Sequence, residues 1–196
     1  MKKLLLVLLT CVMMITVAGC GEASLAASQT SVEGFLTSLK DNDYEKMKSY
    51  IAEGDYSFDD LADEETIEMF NILFSHLEYN IVTSRETNEG EVEVEVTIKA
   101  KDLEKALSNY VVEALRFAFG EALTSDYTDE EMDAKLVQIF SDVVASDDVE
   151  TLTNNVNIKV IKQNDKWLVN IDEQLFDSLV GDMSEISEQL ENSLGN

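Results

Sequence analysis

A segment of strict two-residue alternation in the middle of the chain limits the fold more than any other feature. Between residues 91 and 99, each apolar side chain is followed by a charged or polar one. The apolar members are Val92, Val94, Val96 and Ile98. This period is that of a strand with one buried face. Turn-forming residues 88–90 precede the segment, and residues 79–83 predict its partner in a β-hairpin.

The rest of the chain predicts helices around a second hairpin. The helical spacing of apolar residues predicts six helices, over residues 29–40, 43–51, 60–76, 103–123, 129–145 and 175–194. The second hairpin is predicted over 156–160 and 167–171, around a turn at 163–166. Because each strand pair is joined by a short turn, the predicted fold class is α+β, with an antiparallel sheet of about four strands packed against several helices. The last predicted helix is amphipathic.

The first part of the chain resembles a bacterial export signal. Two lysines precede a mostly apolar stretch of about 15 residues, which is short for a span of the ~30 Å hydrocarbon core. The stretch ends in a hydrophobic residue, a small residue, a glycine and a cysteine: Val17, Ala18, Gly19 and Cys20. These residues resemble the lipobox of bacterial lipoproteins, which implies cleavage before Cys20 and a diacylglycerol on its thiol. The alternative is an uncleaved signal anchor with an incidental cysteine.

The predicted domain organisation follows from this leader. Residues 1–19 are the signal peptide, residues 20–28 the lipidated cysteine and a flexible tether, and residues 29–196 a single α+β domain. The protein is expected on the extracytoplasmic face of the cell membrane, held by its diacylglyceryl anchor. Cys11 leaves with the signal peptide and Cys20 carries the lipid, so no cysteine remains for a disulfide, a thiol nucleophile or a zinc–thiolate site.

The charge balance excludes nucleic-acid binding as the main role. The chain has 14 Lys and Arg against 40 Asp and Glu, a net charge of −26, which becomes −28 when the two leader lysines are removed. Phosphate contacts need basic patches, so nucleic acid is not an expected partner, whereas weak, non-specific attraction of cations is expected. Acidic residues cluster at 59–65 and 126–133, but neither cluster has the spacing or the glycine of a calcium-binding loop. We therefore predict no metal site and no cofactor.

Two strings resemble the nuclear transport factor 2-like superfamily. The string from Val32 to Tyr44, VEGFLTSLKDNDY, is similar to the family's opening helix, in which Phe-Leu-x-x-Leu leads through a short acidic turn into Asp-Tyr. The string from Asn164 to Val169, NDKWLV, is similar to the hairpin turn and Lys-Trp-x-Val strand of exported members. The resemblance covers residues 31–181 and implies a curved sheet in a cone-like half-barrel, often with a cavity at its wide end. It implies no reaction, because the fold hosts enzymes and binding modules alike.

The two consecutive helices over 103–145 depart from a plain member of that family, and they could cover or reshape the pocket. The first of them has apolar residues on several sides, including Val111, Val112, Phe117 and Phe119. A helix that is apolar all round is usually buried, so we expect this helix to be central in the fold.

Four residues are candidates to line a family-type pocket: Tyr79, Tyr110, Trp167 and Asp172. A carboxylate beside tyrosines can do acid–base work in enzymes of this fold, whereas the apolar spacing around Tyr110 and Trp167 favours core anchors. His76 is the only histidine and ends a predicted helix, where the helix dipole favours a cation, so a capping or structural role is favoured over catalysis. No serine-triad motif occurs, and no catalytic residue is predicted.

The sequence therefore predicts a membrane-anchored extracytoplasmic lipoprotein that acts as a non-catalytic binding module. Its ligand would be an envelope protein, a peptide or a small molecule. Two alternatives stay open. One is a pocket enzyme of isomerase or dehydratase type, which needs a deep cavity with a buried carboxylate, and the other is a calcium-responsive envelope lipoprotein.

Overall fold

A computed structural model of the chain describes residues 2–53, 64–122 and 126–180. The described elements, in chain order, are α1 (Lys2–Lys40), α2 (Tyr44–Lys48), α3 (Glu64–Ser75), β1 (Glu78–Asn88), β2 (Glu91–Lys101), α4 (Leu103–Phe117), a π-helical turn (Ala118–Ala122), α5 (Asp129–Ala145), β3 (Thr151–Gln163), β4 (Lys166–Val169) and α6 (Glu173–Val180). Helices and hairpins thus follow one another in the predicted order.

The four strands form one open antiparallel sheet in the order β1-β2-β3-β4. The alternating apolar residues of β2 are all 0% exposed, and Ile158 of β3 pairs with Val94 beside them. Glu93 and Lys159 pair on the opposite face of the sheet. The predicted α+β class, with an antiparallel sheet packed on one side against helices, is confirmed.

Both hairpins turn at residues with a left-handed backbone. Gly90 in the first has φ 80°, and Asn164 and Asp165 in the second have φ 51° and 61°. Two successive positive φ angles match a two-residue type I′ turn, whose twist suits the flanking strands. Strand β1 is longer than the predicted segment 79–83, because its backbone pairing continues through polar residues as far as Asn88, opposite Glu91.

Helix α1 packs its C-terminal half against the buried face of the sheet. Four of its apolar residues are 0% exposed: Val32, Phe35, Leu36 and Leu39. Ser31 Oγ donates a hydrogen bond to the Trp167 carbonyl oxygen at 2.6 Å, and Gln29 Nε2 donates to Ser84 Oγ at 3.0 Å. These bonds tie the helix to both edge strands. The space between sheet and helices is filled by the side chains of one hydrophobic cluster.

The structure describes residues 21–28, which were expected to be part of a flexible tether, as helix. Residues 21–28 belong to α1, Leu25 packs against the core and Ser28 is fully buried. The Ala, Glu and Leu residues of this segment favour a helix, so it extends the helix that follows. The signal peptide, its cleavage site and the lipid on Cys20 stay predictions. Among the described residues, no helix has the length and apolar character that crossing a membrane requires.

The ends of three predicted helices differ from the structure or lie outside it. Helix α2, predicted over 43–51, runs from Tyr44 to Lys48, and Asp43 is its N-cap, with its Oδ1 accepting a hydrogen bond from Lys46 N at 3.1 Å. The predicted start of the third helix at residue 60 lies outside the described residues. The C-terminal helix, predicted to reach residue 194, is described as far as Val180.

Helices α4 and α5 form an antiparallel pair beside the core. The rings of Phe117 in α4 and Tyr127 just before α5 have centroids 5.4 Å apart, and those of Tyr110 and Phe140 lie 5.6 Å apart. Helix α5 packs against α3, and α4 packs against α5. The prediction that α4 is central is wrong, because Leu115 on its outer side is 51% exposed.

Candidate functional site

An open groove of ≈ 690 Å³ lies between α4 and α5. Its apolar lining consists of Val112, Phe117, Ile139 and Val143. Its charged lining consists of three cations and three carboxylates: Lys105, Arg116, Lys135, Glu113, Asp142 and Asp148. An equal number of both charges sets the groove apart in a chain with 14 basic and 40 acidic residues. Apolar walls with a few placed polar groups are typical of sites that bind small molecules or peptide segments.

Caps that the sequence encodes hold the two helices in place. Asp102 is the N-cap of α4, and its Oδ1 accepts a hydrogen bond from Lys105 N at 2.9 Å. Thr128 opens α5 in a capping box, with its Oγ1 accepting from Glu131 N at 3.3 Å and Glu131 Oε2 accepting from Thr128 N at 2.9 Å. Hydrogen bonds from the backbone and then the side chain of Thr128 hold the pKa of Glu131 below its usual value.

Cations outnumber carboxylates at one end of the groove, and carboxylates outnumber cations at the other. At the end formed by the C-terminus of α4, Lys135 Nζ lies 5.9 Å from the centroid of the Phe117 ring, and Arg116 Nη1 donates to Glu113 Oε2 at 2.6 Å. At the other end, the remaining two carboxylates come from the last turn of α5 and the loop after it, beside Lys105. The groove therefore has a basic, aromatic end and a more acidic end, which would orient a ligand that carries both charges.

Next to the groove, α4 presents an apolar face to solvent. We call this the outer face of α4; it continues into the π-helical turn, and its members and their exposed fractions are Val111 (41%), Val112 (53%), Leu115 (51%) and, in that turn, Phe119 (74%). At helical spacing these residues lie opposite Ala106 and Phe117, which are buried towards the core. Contiguous exposed apolar residues mark interaction surfaces more often than scattered ones do.

The structure does not bring the predicted pocket residues together. Tyr79 lies on β1 and Trp167 on β4, the two edges of the sheet, which the intervening strands keep roughly 14 Å apart. The Tyr79 hydroxyl shares a hydrogen bond with Thr37 Oγ1 at 2.6 Å. Tyr110 packs edge-to-face on Phe140. The side chains of Tyr79, Tyr110 and Trp167 all pack against the hydrophobic core, as expected of core anchors.

Asp172, the fourth predicted pocket residue, caps a helix. Its Oδ1 accepts a hydrogen bond from Leu175 N at 3.0 Å, at the start of α6. None of the four predicted residues is among those that line the groove.

The acidic clusters differ in what the structure describes. Among the described residues, no three side chains of the metal-binding types lie close enough to hold an ion. The cluster at 59–65 lies outside the described side chains. In the cluster at 126–133, Asp129, Glu130 and Glu131 form the first turn of α5, where the helix dipole favours negative charge.

His76 directly follows α3, and its backbone N–H donates to the Leu73 carbonyl oxygen at 3.2 Å. Partial burial of the imidazole, and then the nearby charge of Lys101, lower the pKa of His76. A lowered pKa disfavours the cationic form. The surroundings thus favour the neutral ring, and the capping or structural role expected of His76 stays a prediction.

No motif in the sequence marks the groove residues as a site. What the sequence does show is that α4 has apolar residues on more than one side, whereas a single neighbouring element can cover only one side. Such a surplus indicates either a central helix or a helix with an exposed binding face, and the sequence alone does not separate the two.

Comparison with known proteins gives little further information. No protein-family model and no curated protein matches the sequence. Among solved structures, the crystal structure of a candidate lipoprotein, ycdA from Bacillus subtilis, is similar to this chain with a TM-score of 0.41 and 17% identity, over 76% of this chain and 44% of that chain. The chain thus spans less than half the length of that protein. A likeness of this degree assigns neither a family nor a function.

Proposed function

We propose that this chain is a lipid-anchored protein of the extracytoplasmic face of the cell membrane, and that it acts as a non-catalytic binding module through the groove between α4 and α5. The lipobox residues, which end in Cys20, support the anchor. The nuclear transport factor 2-like assignment is part of the same proposal. Two observations support it. The strings at 32–44 and 164–169 resemble the family's motifs, and helices α1 to α3 precede the antiparallel hairpin of β1 and β2.

The groove is the observation that carries the binding role. The interior between sheet and helices is occupied by fully buried side chains such as Phe35 and Ile98, so a cavity there would require repacking of the core. The groove instead is open, has apolar walls and carries charges of both signs. A peptide segment of an envelope protein, or a small ligand with a carboxylate near Arg116 and Lys135 and a cation near Asp142, fits that order of charges.

The anchor is tested on the mature protein from cells that process lipoproteins. Mass spectrometry of the N-terminal peptide should show a chain that begins at Cys20 and carries the mass of a diacylglycerol. The Cys20→Ala variant should lack this modification and keep its leader. A membrane-bound wild-type protein with an unmodified residue 20 would contradict the anchor.

The binding role is tested by photo-crosslinking in intact cells. A photoreactive residue at Asn109, in the groove, should capture a defined envelope protein or peptide. The same residue at Lys99, which is exposed on the far side of the sheet, serves as the control. Reversing two charges with Arg116→Glu and Lys135→Glu should abolish the adduct at Asn109. Equal adducts from both positions, or an adduct that survives the charge reversal, would show that the groove is not the binding site.

A further inference from the structure

The part of α1 that directly follows the predicted anchor residue, Cys20, is packed onto the fold. Among residues 21–28, Leu25 packs against the hydrophobic core and Ser28 is fully buried. Cys20 immediately precedes Gly21, so cleavage before Cys20 would leave no linker between the lipid and the packed helix. A flexible linker lets a domain turn in many directions relative to the membrane, whereas a packed helix fixes the point at which the lipid leaves the protein.

Two hydrogen bonds between α1 and β1 show which end of the sheet this part of the helix approaches. Thr37 Oγ1 shares a hydrogen bond of 2.6 Å with the hydroxyl of Tyr79, at the start of β1. Nearer the N-terminus of α1, Gln29 Nε2 donates to Ser84 Oγ, further along the strand, at 3.0 Å. Towards its N-terminus, α1 therefore runs in the direction in which β1 approaches the first hairpin turn.

Helix and strand dimensions place Gly21 level with the first hairpin turn. From Gln29 back to Gly21, α1 rises by about 12 Å. From Ser84 to Asn88, where β1 ends, the strand extends by about 13 Å. Since the two paths start from one hydrogen bond and run side by side, the lipid on Cys20 would leave the fold at the height of this turn.

The second hairpin turn lies at the same end of the sheet. Lys162 N donates a hydrogen bond to the Gly90 carbonyl oxygen at 2.8 Å, which joins the two turns side by side. We call these turns, residues 88–90 and 162–166, the hairpin end of the fold. Its charged residues are two acids and two bases: Glu89, Asp165, Lys162 and Lys166. The hairpin end is therefore balanced in charge, in a chain with 14 basic and 40 acidic residues.

The loop over residues 146–150, at the opposite end of the sheet, is acidic. Strand β2 extends about 33 Å from the first turn to Lys101, which pairs with Thr151 directly after this loop. The loop contains three acids and no base: Asp147, Asp148 and Glu150. An anionic lipid surface repels such a loop more strongly than it repels the hairpin end. The position of the anchor and the distribution of charge thus favour the same end.

We propose that the hairpin end lies against the phospholipid headgroups of the extracytoplasmic leaflet, so that the strands stand away from the membrane. The loop over 146–150 is then about 33 Å further from the headgroups than the first turn is. This inference rests on the proposed anchor at Cys20 and adds the surface that meets the membrane. The acidic end of the groove, which includes Asp148, then faces away from the bilayer, where part of an envelope protein can reach it.

Fluorescence quenching by lipids with a nitroxide on the headgroup tests the proposal. The lipidated protein is reconstituted in vesicles of phosphatidylglycerol and phosphatidylcholine. Because Cys20 carries the lipid and Cys11 leaves with the leader, a single introduced cysteine takes the dye. Glu89→Cys labels the hairpin end, and Asp147→Cys is the matched control, since both replace an exposed acid. Quenching at residue 89 should be about tenfold stronger than at residue 147, because about 33 Å of strand separates the two ends.

Mass spectrometry of the N-terminal peptide separates the two ways in which the proposal can fail. Equal quenching at the two positions, or stronger quenching at residue 147, in a protein with diacylglycerol on Cys20 would overturn the orientation and leave the anchor intact. A membrane-bound protein with an unmodified Cys20 would overturn the anchor and this inference together.

An insertion beside the anchor tests whether α1 sets the orientation. Twelve Gly and Ser residues between Cys20 and Gly21 form a flexible linker with an end-to-end distance of about 19 Å. The insertion should reduce quenching at residue 89 at least about threefold, because the hairpin end is then free to leave the headgroups. Gly21→Ala is the control, since it has open space around it and keeps the helix, and quenching should stay unchanged. Undiminished quenching after the insertion would overturn the role of α1. Neither measurement depends on whether the groove binds a partner.

Discussion

Apolar side chains are buried in the unit formed by α1 and the sheet, whereas several are exposed on the pair formed by α4 and α5. In the first, Phe35, Leu39 and Val96 are 0% exposed and belong to one continuous core. In the second, Leu115 and Phe119 are 51% and 74% exposed beside an open groove. Removal of apolar surface from water stabilises the first region, whereas the second keeps such surface available. The comparison separates the part that holds the fold together from the part that can meet a partner.

Truncation of a phenylalanine should cost far more stability in the first region than in the second. Phe35→Ala should lower the free energy of unfolding by about 3–5 kcal/mol, because it leaves a cavity at a fully buried position. Phe119→Ala removes the same atoms at a mostly exposed position and should lower it by less than about 1 kcal/mol. Urea unfolding of the full chain measures both. Similar losses would mean that α4 is as much a part of the core as α1.

The next effect tests how tightly α1 approaches the segment after α2. A Cβ at Gly34 would lie no more than 2.7 Å from three ring carbons of Tyr50, so Gly34→Ala should lower the free energy of unfolding by about 1–3 kcal/mol. Gly21, in the same helix, has open space around it, and Gly21→Ala should leave stability unchanged or raise it. If the clash is the cause, adding Tyr50→Ala to Gly34→Ala should cost less than the sum of the two single changes. Strict additivity would refute this cause.

A smaller effect on stability is expected at the N-terminus of α5, the helix that forms one wall of the groove. Thr128→Ala removes the capping box and should lower the free energy of unfolding by about 1 kcal/mol. Thr30→Ala is the matched control, because Thr30 is exposed within α1 and its hydroxyl donates only to the Ala26 carbonyl oxygen of its own helix. Thermal or urea unfolding of both variants makes the comparison. An equal change in the two variants would show that the cap does not hold α5.

The smallest effect concerns pH and lies at the boundary of the two regions, where α3 ends. Since the pKa of His76 is lower in the folded chain than in the unfolded chain, the folded state binds its proton less readily. Protonation of His76 therefore destabilises the folded state. This loss of stability is absent above the pKa of the unfolded chain, about 6.5, and grows as the pH falls below it. Between pH 7.5 and pH 5.5, the wild type should therefore lose slightly more stability than His76→Gln. Parallel pH profiles of the two proteins would contradict this.

The elements were predictable to different degrees, and the reasons are physical. The apolar residues of β2 recur with a period of two and those of α1 with a period of 3.6. Both patterns predict one buried face, and both faces are buried in the structure. The end of α4 at Phe117 and the helical course of residues 21–28 were not predicted, because boundaries depend on contacts with distant residues such as Tyr127. The groove was not predicted, since it requires knowing which sides of α4 and α5 face each other.

The fold class, the order of the elements, the excess of acidic residues and the resemblance of residues 17–20 to a lipobox could all be read from the sequence. Each of these depends on the type and spacing of residues that are close along the chain. Only the tertiary structure decided that Tyr79 and Trp167 lie on opposite edges of the sheet, and that α4 lies beside the core rather than within it. A periodic pattern states how many sides of an element are apolar. Which of those sides is covered depends on the neighbours that the whole fold brings to it, and for α4 that choice leaves an apolar face and a groove on the outside.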